Sequence, residues 1–134
     1  MLSTIQFTVL CAAILGLLYA FLSIRVVVHR VRYKVSFQDG GNPKLALAIR
    51  VHANFFEYVP ICLVLMYLAV SIGAAAWIIY AAGGSLIAGR LLHAAWYGRH
   101  PGTSFGRFVG TNLTWLALIG LSGACLLYAL KVPT

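Results

Sequence analysis

The chain has 134 residues, 62% of them apolar and 9% charged, with ten Lys and Arg against two Asp and Glu and a net charge of +8. Soluble domains run near ~25% charged, and a soluble fold of this size would expose apolar patches larger than the few hundred Å² (about 300–600) that monomers tolerate. Length leaves room for a single domain, residues 1–134, and the composition excludes a water-soluble one.

The first apolar stretch runs from about Ile5 to Val28, with Arg25 near its end. It is long enough to cross a bilayer as a helix, which needs roughly 20 residues. No basic residue precedes it and basic residues follow, which is the reverse of a cleavable signal peptide. Arg30, Arg32, Lys34 and Lys44 flank or fill the loop that comes next. In that loop Asp39-Gly40-Gly41-Asn42-Pro43 reads as a turn ending in a helix N-cap, with proline at the first helical position. The second helix is therefore expected over about residues 43–70, and its apolar span from Leu45 to Val70 contains Arg50, His52, Asn54 and Glu57. A short uncharged link at Ser71-Ile72-Gly73 makes helices two and three an antiparallel hairpin. Helix three is expected over about 74–98, with Gly83-Gly84-Ser85 and Gly89 in its body and Arg90 and His93 in its last turns. Pro101-Gly102 marks the third turn, Thr103 or Ser104 is the next N-cap, and helix four is expected over about 104–130. The apolar stretch from Phe108 to Leu130 carries no charge, and Gly106 and Gly110 precede or open it at GxxxG spacing. Small residues of this kind let membrane helices approach closely.

The apolar runs are continuous rather than alternating, so helices are expected and a barrel is not. The fold class is an all-α membrane protein, a bundle of four transmembrane helices. Cys11, Cys62 and Cys125 stand one each in helices one, two and four, without metal or redox spacing, and read as small packing residues. His52 and His93 are too few for a metal site. Asn112-Leu113-Thr114 matches a glycosylation sequon but lies inside a helix. Nucleic acid is not an expected partner, because the positive charge is juxtamembrane and no soluble module presents it. Arg99 and Arg107 flank the third loop with His100 between, loop two is uncharged, and the tail has only Lys131. The positive-inside rule then places loops one and three in the cytoplasm and both termini outside.

Ionisable residues inside membrane helices are costly and mark functional candidates. Arg50, Asn54 and Glu57 stand at i, i+4 and i+7 and fall within roughly 60° on one helix face; Arg90, His93 and Tyr97 stand at i, i+3 and i+7 and do the same. Both stripes belong to the cytoplasmic halves of antiparallel neighbours. Glu57 needs a cation; Arg50, two turns away, is a poor fit, and Arg90 or Arg107 from another helix is expected instead. Cations still outnumber anions here, which suits an anionic ligand gripped by guanidinium forks. The other reading is a buried network that only locks the helices together. His52 faces away from the Arg50–Glu57 stripe and alone reads as a packing residue, and Tyr58 and Tyr97 could equally be interfacial aromatics. Arg107 sits at the positive end of helix four, which serves either an anion or a membrane anchor.

The segment Arg50-Val51-His52-Ala53-Asn54-Phe55-Phe56-Glu57-Tyr58-Val59-Pro60 resembles the hallmark of the MAPEG superfamily, the membrane-associated proteins in eicosanoid and glutathione metabolism. Arg90, His93 and Tyr97 resemble the family's motif on helix three. The resemblance covers essentially the whole chain. It implies a homotrimer with three active sites between adjacent subunits near the cytoplasmic face, each binding glutathione in a bent shape. By position, Arg50, His52, Asn54, Glu57 and Tyr58 on helix two and Arg90, His93 and Tyr97 on helix three would contact glutathione. Arg30 matches an arginine that reaches its glycyl end. Arg107 best matches the arginine that stabilises the thiolate, and Arg99 is the second match. Ala53 stands where the prostaglandin branch has a further arginine, which argues against prostaglandin chemistry. The implied activity is glutathione transfer to lipophilic electrophiles arriving from the membrane lipids, with peroxidase activity beside it, glutathione as co-substrate and no metal. Two other readings are a non-catalytic lipid-binding member of the family and a small proton-coupled multidrug exporter. Retained Arg50, Glu57, Arg90 and Arg107 argue against the first, and the absence of an acid in helix one argues against the second.

The expected orientation can be read with a membrane-impermeant thiol reagent on Ser3→Cys and Gln38→Cys in intact cells. Ser3 should label from outside and Gln38 only after permeabilisation; equal labelling from one side would overturn the orientation.

Overall fold

The computed structural model describes residues 2–96 and 105–130. Four helices account for nearly all of them: α1 (Thr4–Tyr33), α2 (Pro43–Ser71), α3 (Ala76–Trp96) and α4 (Phe105–Ala129). All four are long and apolar enough to cross a membrane, and the protein is an integral, multi-pass membrane protein.

Each described boundary has a local cause. Ser3 and Gln6 form a capping box, the Ser3 hydroxyl accepting from the Gln6 amide at 3.3 Å and the Gln6 side chain accepting from the Ser3 amide at 2.9 Å. α1 then runs past Val28 to Tyr33, because nothing from Arg25 to Tyr33 breaks a helix and Arg30 and Arg32 favour its negative C-terminal end. Its 30 residues make a rod of about 45 Å, longer than the ~30 Å hydrocarbon layer. Lys34 closes it in the left-handed conformation at φ 55°. The Asn42 side chain accepts from the Lys44 and Leu45 amides, and Pro43 opens α2 where no N–H is needed. Pro60 lies inside α2 without ending it. The α2–α3 link turns at Gly73 (φ 75°), with the Ala74 amide donating back to the Ala69 carbonyl at 2.9 Å. The Ala75 amide donates to the Tyr128 hydroxyl, which ties this link to the C-terminal end of α4. The expected N-cap at Thr103 or Ser104 lies outside the described residues.

In cross-section the helices form a rhombus. α2 and α3 touch each other, and each also touches α1 and α4, whereas α1 and α4 stand apart among the described residues. The core is a stripe from each helix: Cys11, Leu15 and Leu22; Val51, Phe55, Val59, Cys62 and Met66; Ile79, Ala82 and Leu86; Ala117 and Leu121. Cys11 and Cys62 are fully buried thiols within it, and Cys125 donates to the Leu65 carbonyl at 3.4 Å. Large apolar side chains such as Leu17, Val9, Ile119 and Leu126 point outward, where only lipid or another subunit can cover them.

α3 and α4 make the most extensive contact. They approach through Gly89 and Gly110: a Cβ on Gly110 would lie 2.6 Å from the Gly89 carbonyl oxygen and 2.9 Å from the His93 amide nitrogen. These are backbone atoms, so neither helix can give way without separating. Thr114 is buried in the same seam, and its hydroxyl donates to the Gly110 carbonyl at 2.8 Å. Gly110→Ala is expected to lower the thermal midpoint of the solubilised protein, at an overpacking cost of about 1–3 kcal/mol. Gly84→Ala, where a Cβ meets nothing within 4 Å, should leave the midpoint unchanged or higher. Equal midpoints for the two would show that the seam tolerates a methyl group.

Candidate functional site

The polar side chains of α2 and α3 gather at the loop-one end of the bundle. Arg90 is the deepest. Its side chain is 1% exposed, and Nη1 donates across the helix interface to Asn54, to Oδ1 at 3.0 Å and to the main-chain carbonyl at 3.4 Å. The guanidinium carbon lies 6.0 Å from the centre of the Tyr58 ring, at the limit of a cation–π contact. Nε and Nη2 are buried with no hydrogen-bond partner among the described residues. The sequence spacing explains the meeting: Asn54 and Tyr58 are one turn apart on α2, and α3 runs antiparallel beside them.

Arg50 and Glu57 form a pair on the same α2 stripe, nearer its outer edge. Arg50 Nη1 lies 3.3 Å from Glu57 Oε1, with the two side chains 62% and 44% exposed. This corrects the expectation that Glu57 takes its cation from another helix. Seven residues span about 10.5 Å of helix, and a fully extended arginine meeting a glutamate can bridge that rise. Arg90 donates from Nη1 to Asn54 instead. The pair also lies open on the surface of the single chain rather than buried.

His93, one turn beyond Arg90, is buried and packs against Gly110. Arg107, in the first turn of α4, is partly buried, and the charges of Arg90 and Arg107 both reach His93. α2, α3 and α4 therefore converge on one basic region. Tyr97 and Arg99 lie outside the described residues. Two other candidates are placed elsewhere. His52 stacks on Tyr19 of α1 at 4.9 Å, its Nε2 buried without a hydrogen-bond partner among the described residues, so within one chain it belongs to the α1–α2 seam. Arg30 spends Nη1 on loop one, donating to the Gln38 carbonyl at 2.9 Å and the Val35 carbonyl at 3.5 Å.

Two features escape a reading of spacing alone. One is the Arg90–Asn54 bond, which requires knowing the relative rotation of α2 and α3. The other is a hollow of about 310 Å³ beside Arg50, lined by Gln38, Asp39, Ala46, Ile49 and Arg50. In sequence Asp39 shows only as a turn residue. A roomier hollow of about 530 Å³ lies between α3 and α4 toward the loop-two end, walled by Trp77, Leu116, Ile119 and Leu127. It is apolar and remote from the charged cluster, so it holds none of the chemistry gathered around Arg90.

The arrangement suits an anionic ligand. A buried guanidinium with free donors is costly unless an acceptor arrives, and Arg50 and Arg107 add charge around it. Asn54 tests how far Arg90 depends on its partner. Asn54→Leu should destabilise the solubilised protein by about 1–3 kcal/mol by stranding the remaining donor. The double variant Asn54→Leu/Arg90→Leu should recover much of the loss, because apolar replacement of both buried partners is often near neutral. A double variant less stable than either single one would show that the bond is incidental to folding.

Comparison with known proteins gives a consistent result. The profile of the MAPEG family matches residues 8–127. The chain is 41% identical over 110 residues to the inner membrane protein YecN of Escherichia coli K12, covering 82% of each chain, and matches YecN of Escherichia coli O6:H1 to the same extent. No solved structure matches.

Proposed function

The chain belongs to the MAPEG family, and on that premise we propose that it is a membrane-bound glutathione transferase acting on lipophilic electrophiles, working as a homotrimer. The observation that carries the reading is Arg90: a guanidinium 1% exposed, fixed by Asn54, with two nitrogens lacking acceptors among the described residues. Glutathione carries two carboxylates, and guanidinium forks grip carboxylates with two parallel bonds. Arg50, Asn54, Glu57 and Tyr58 supply further contacts from α2 and His93 from α3, and the sequence motif adds Tyr97.

The open Arg50–Glu57 pair supports the trimer. Glu57 lies fourteen residues into α2 from Pro43, about 21 Å along its axis, which is membrane depth. An ion pair facing hydrocarbon there is costly; a neighbouring subunit placed against this face removes it from lipid and closes a ligand site between the two. Under the same reading His52 and Arg30 contact glutathione from the subunit boundary rather than from within one chain. The Arg-rich end of the bundle faces the cytoplasm, where glutathione is supplied.

Catalysis needs the thiolate. A free thiol near pKa ~8.5 is only partly ionised at neutral pH, and a nearby cation raises the reactive fraction. Arg107 stands in the first turn of α4, where the helix dipole adds partial positive charge. The sulfur attacks the electrophilic carbon, a C–S bond forms, and the electron pair leaves with the displaced group or with an opened epoxide oxygen. The thiol proton goes to solvent on the cytoplasmic side. Peroxidase activity follows from the same thiolate: two glutathiones reduce a hydroperoxide to an alcohol and water and leave as the disulfide. Apolar substrates reach the sulfur laterally through the bilayer.

The test is titration of the purified protein with glutathione, followed by thiolate absorbance against pH, with steady-state turnover of a lipophilic electrophile alongside. The wild type should show bound thiolate below the ordinary thiol pKa. Arg107→Ala should cut turnover more than affinity, because Arg50, Asn54, Glu57 and Tyr97 still hold the peptide. A rise of two pKa units would withdraw about 2.7 kcal/mol from the thiolate. Arg107→Lys should restore charge without the fork and recover part of the rate. Normal thiolate and rate in Arg107→Ala would transfer the role to Arg99; no glutathione binding in the wild type would overturn the reading and favour the lipid-binding one.

A further inference from the structure

α1 is longer than the hydrocarbon layer, and the surplus lies at its basic end. The Ser3–Gln6 capping box starts the helix, and the Tyr80 hydroxyl, which donates to the Leu2 carbonyl at 2.6 Å, holds that start level with the loop-two end of α3. Arg25 stands about 31 Å further along the helix, where a hydrocarbon layer of ~30 Å gives way to headgroups. The last two turns, Val26 to Tyr33, run about 12 Å beyond it.

Two adjoining faces of this end differ in kind. Arg25, His29 and Arg32 stand at i, i+4 and i+7, within roughly 60° of one another. His29 Nδ1 donates to the Arg25 carbonyl at 2.8 Å, and its ring lies 5.9 Å from that of Tyr33. Arg25 is partly buried, and Arg32 is exposed with its guanidinium carbon 6.0 Å from the centre of the Tyr33 ring. Neither guanidinium has a hydrogen-bond or ion-pair partner among the described residues. The two acids are engaged elsewhere, Glu57 by Arg50 and Asp39 Oδ1 by the Gly41 amide. About a quarter turn round the helix, Ile24, Val28 and Val31 form an apolar strip, each more than half exposed. Water suits the cations and not the strip; hydrocarbon suits the strip and not the cations.

We propose that this end of α1 binds an anionic membrane lipid, its phosphodiester held between Arg25 and Arg32 and its acyl chains laid on Ile24, Val28 and Val31. Side-chain reach allows it: over the same seven-residue interval of α2, Arg50 and Glu57 meet at 3.3 Å. Side chains on a helix lean toward its N-terminus, so Arg32 leans back toward the bilayer. Guanidinium forks match phosphate oxygens in pairs. The headgroup is net anionic rather than zwitterionic, because the same cations repel a choline ammonium. The apolar strip favours a lipid over a free phosphate, which has nothing to lay on it. Arg30 takes no part: it stands about 140° from Arg25 round the helix and is engaged with loop one. The site is separate from the proposed glutathione site and does not depend on it.

The experiment is native mass spectrometry of the full-length protein in detergent micelles doped with equal amounts of phosphatidylglycerol and phosphatidylcholine. A basic residue facing anionic lipid contributes roughly fivefold in affinity, so the wild type should retain phosphatidylglycerol over phosphatidylcholine by at least about tenfold. Arg25→Gln/Arg32→Gln should bring the ratio within about twofold. Lys34→Gln/Lys44→Gln removes the same charge from the same end of the bundle and should keep the wild-type ratio. Excess inorganic phosphate should not displace the lipid. Equal retention of the two lipids by the wild type would overturn the site. So would an equal loss in both double variants, which would show general attraction to a basic surface. Displacement by phosphate would overturn the lipid and leave a plain anion site. The wild-type comparison stands by itself should Arg25→Gln/Arg32→Gln prove unstable.

Discussion

Arg90 is a full charge held at 1% exposure inside a bundle of apolar helices, and the loop-one half of the molecule is arranged around it. A guanidinium cannot shed its charge at any ordinary pH, so the bundle has to satisfy it or leave it waiting for a ligand. Asn54 supplies two acceptors from α2 and Tyr58 a ring face. That bond fixes the rotation of α3 against α2. The rotation in turn decides which face of each helix meets the core and which meets lipid or a neighbour.

The two halves of the bundle solve different physical problems. Toward loop two the described residues carry no charged side chain, and the helices close through apolar side chains and the Tyr128 tie to the α2–α3 link. The Gly89–Gly110 approach lies just below Arg90, where α3 and α4 press together almost backbone to backbone. A seam that tight leaves little freedom for Arg90 and His93, the residues that immediately follow and lie one turn beyond Gly89. Rigid packing is therefore placed where a binding group needs to be held still. Toward loop one the helices end in basic residues and the packing opens into a hollow bordered by Gln38, Asp39 and Arg50.

Loop one contributes more than a connection. Left-handed residues at Lys34 and Gln38, the Asp39 turn and the Arg30 clip give it a defined shape over its whole length. Ordered loops carried on rigid helices commonly hold binding groups. The Arg50–Glu57 pair beside it is the least settled part of the single chain, because its exposure conflicts with its depth. In the proposed trimer a second subunit resolves that conflict, and the same contact completes the proposed glutathione site.

The sequence by itself determined the class of the protein and most of its layout. Apolar spans of bilayer length, the Asn42-Pro43 start of α2 and the short link at Gly73 are local signals, set by hydration of apolar groups and by backbone conformation within a few residues. The spacing of Arg50, Asn54 and Glu57, and of Arg90 and His93, placed each set on one helix face, because helical geometry is the same in any fold. Three matters were decided by tertiary structure alone. Glu57 takes its cation from its own helix, since side-chain reach and the competing claim of Asn54 on Arg90 exist only once α2 and α3 are packed. His52 joins Tyr19 of α1, which follows from the angle at which α1 crosses α2 and not from any motif. Asp39 and Arg50 line one hollow because the loop folds back over the start of α2; residues eleven positions apart carry no local signal of this, and the physical reason is the set of hydrogen bonds that closes the loop.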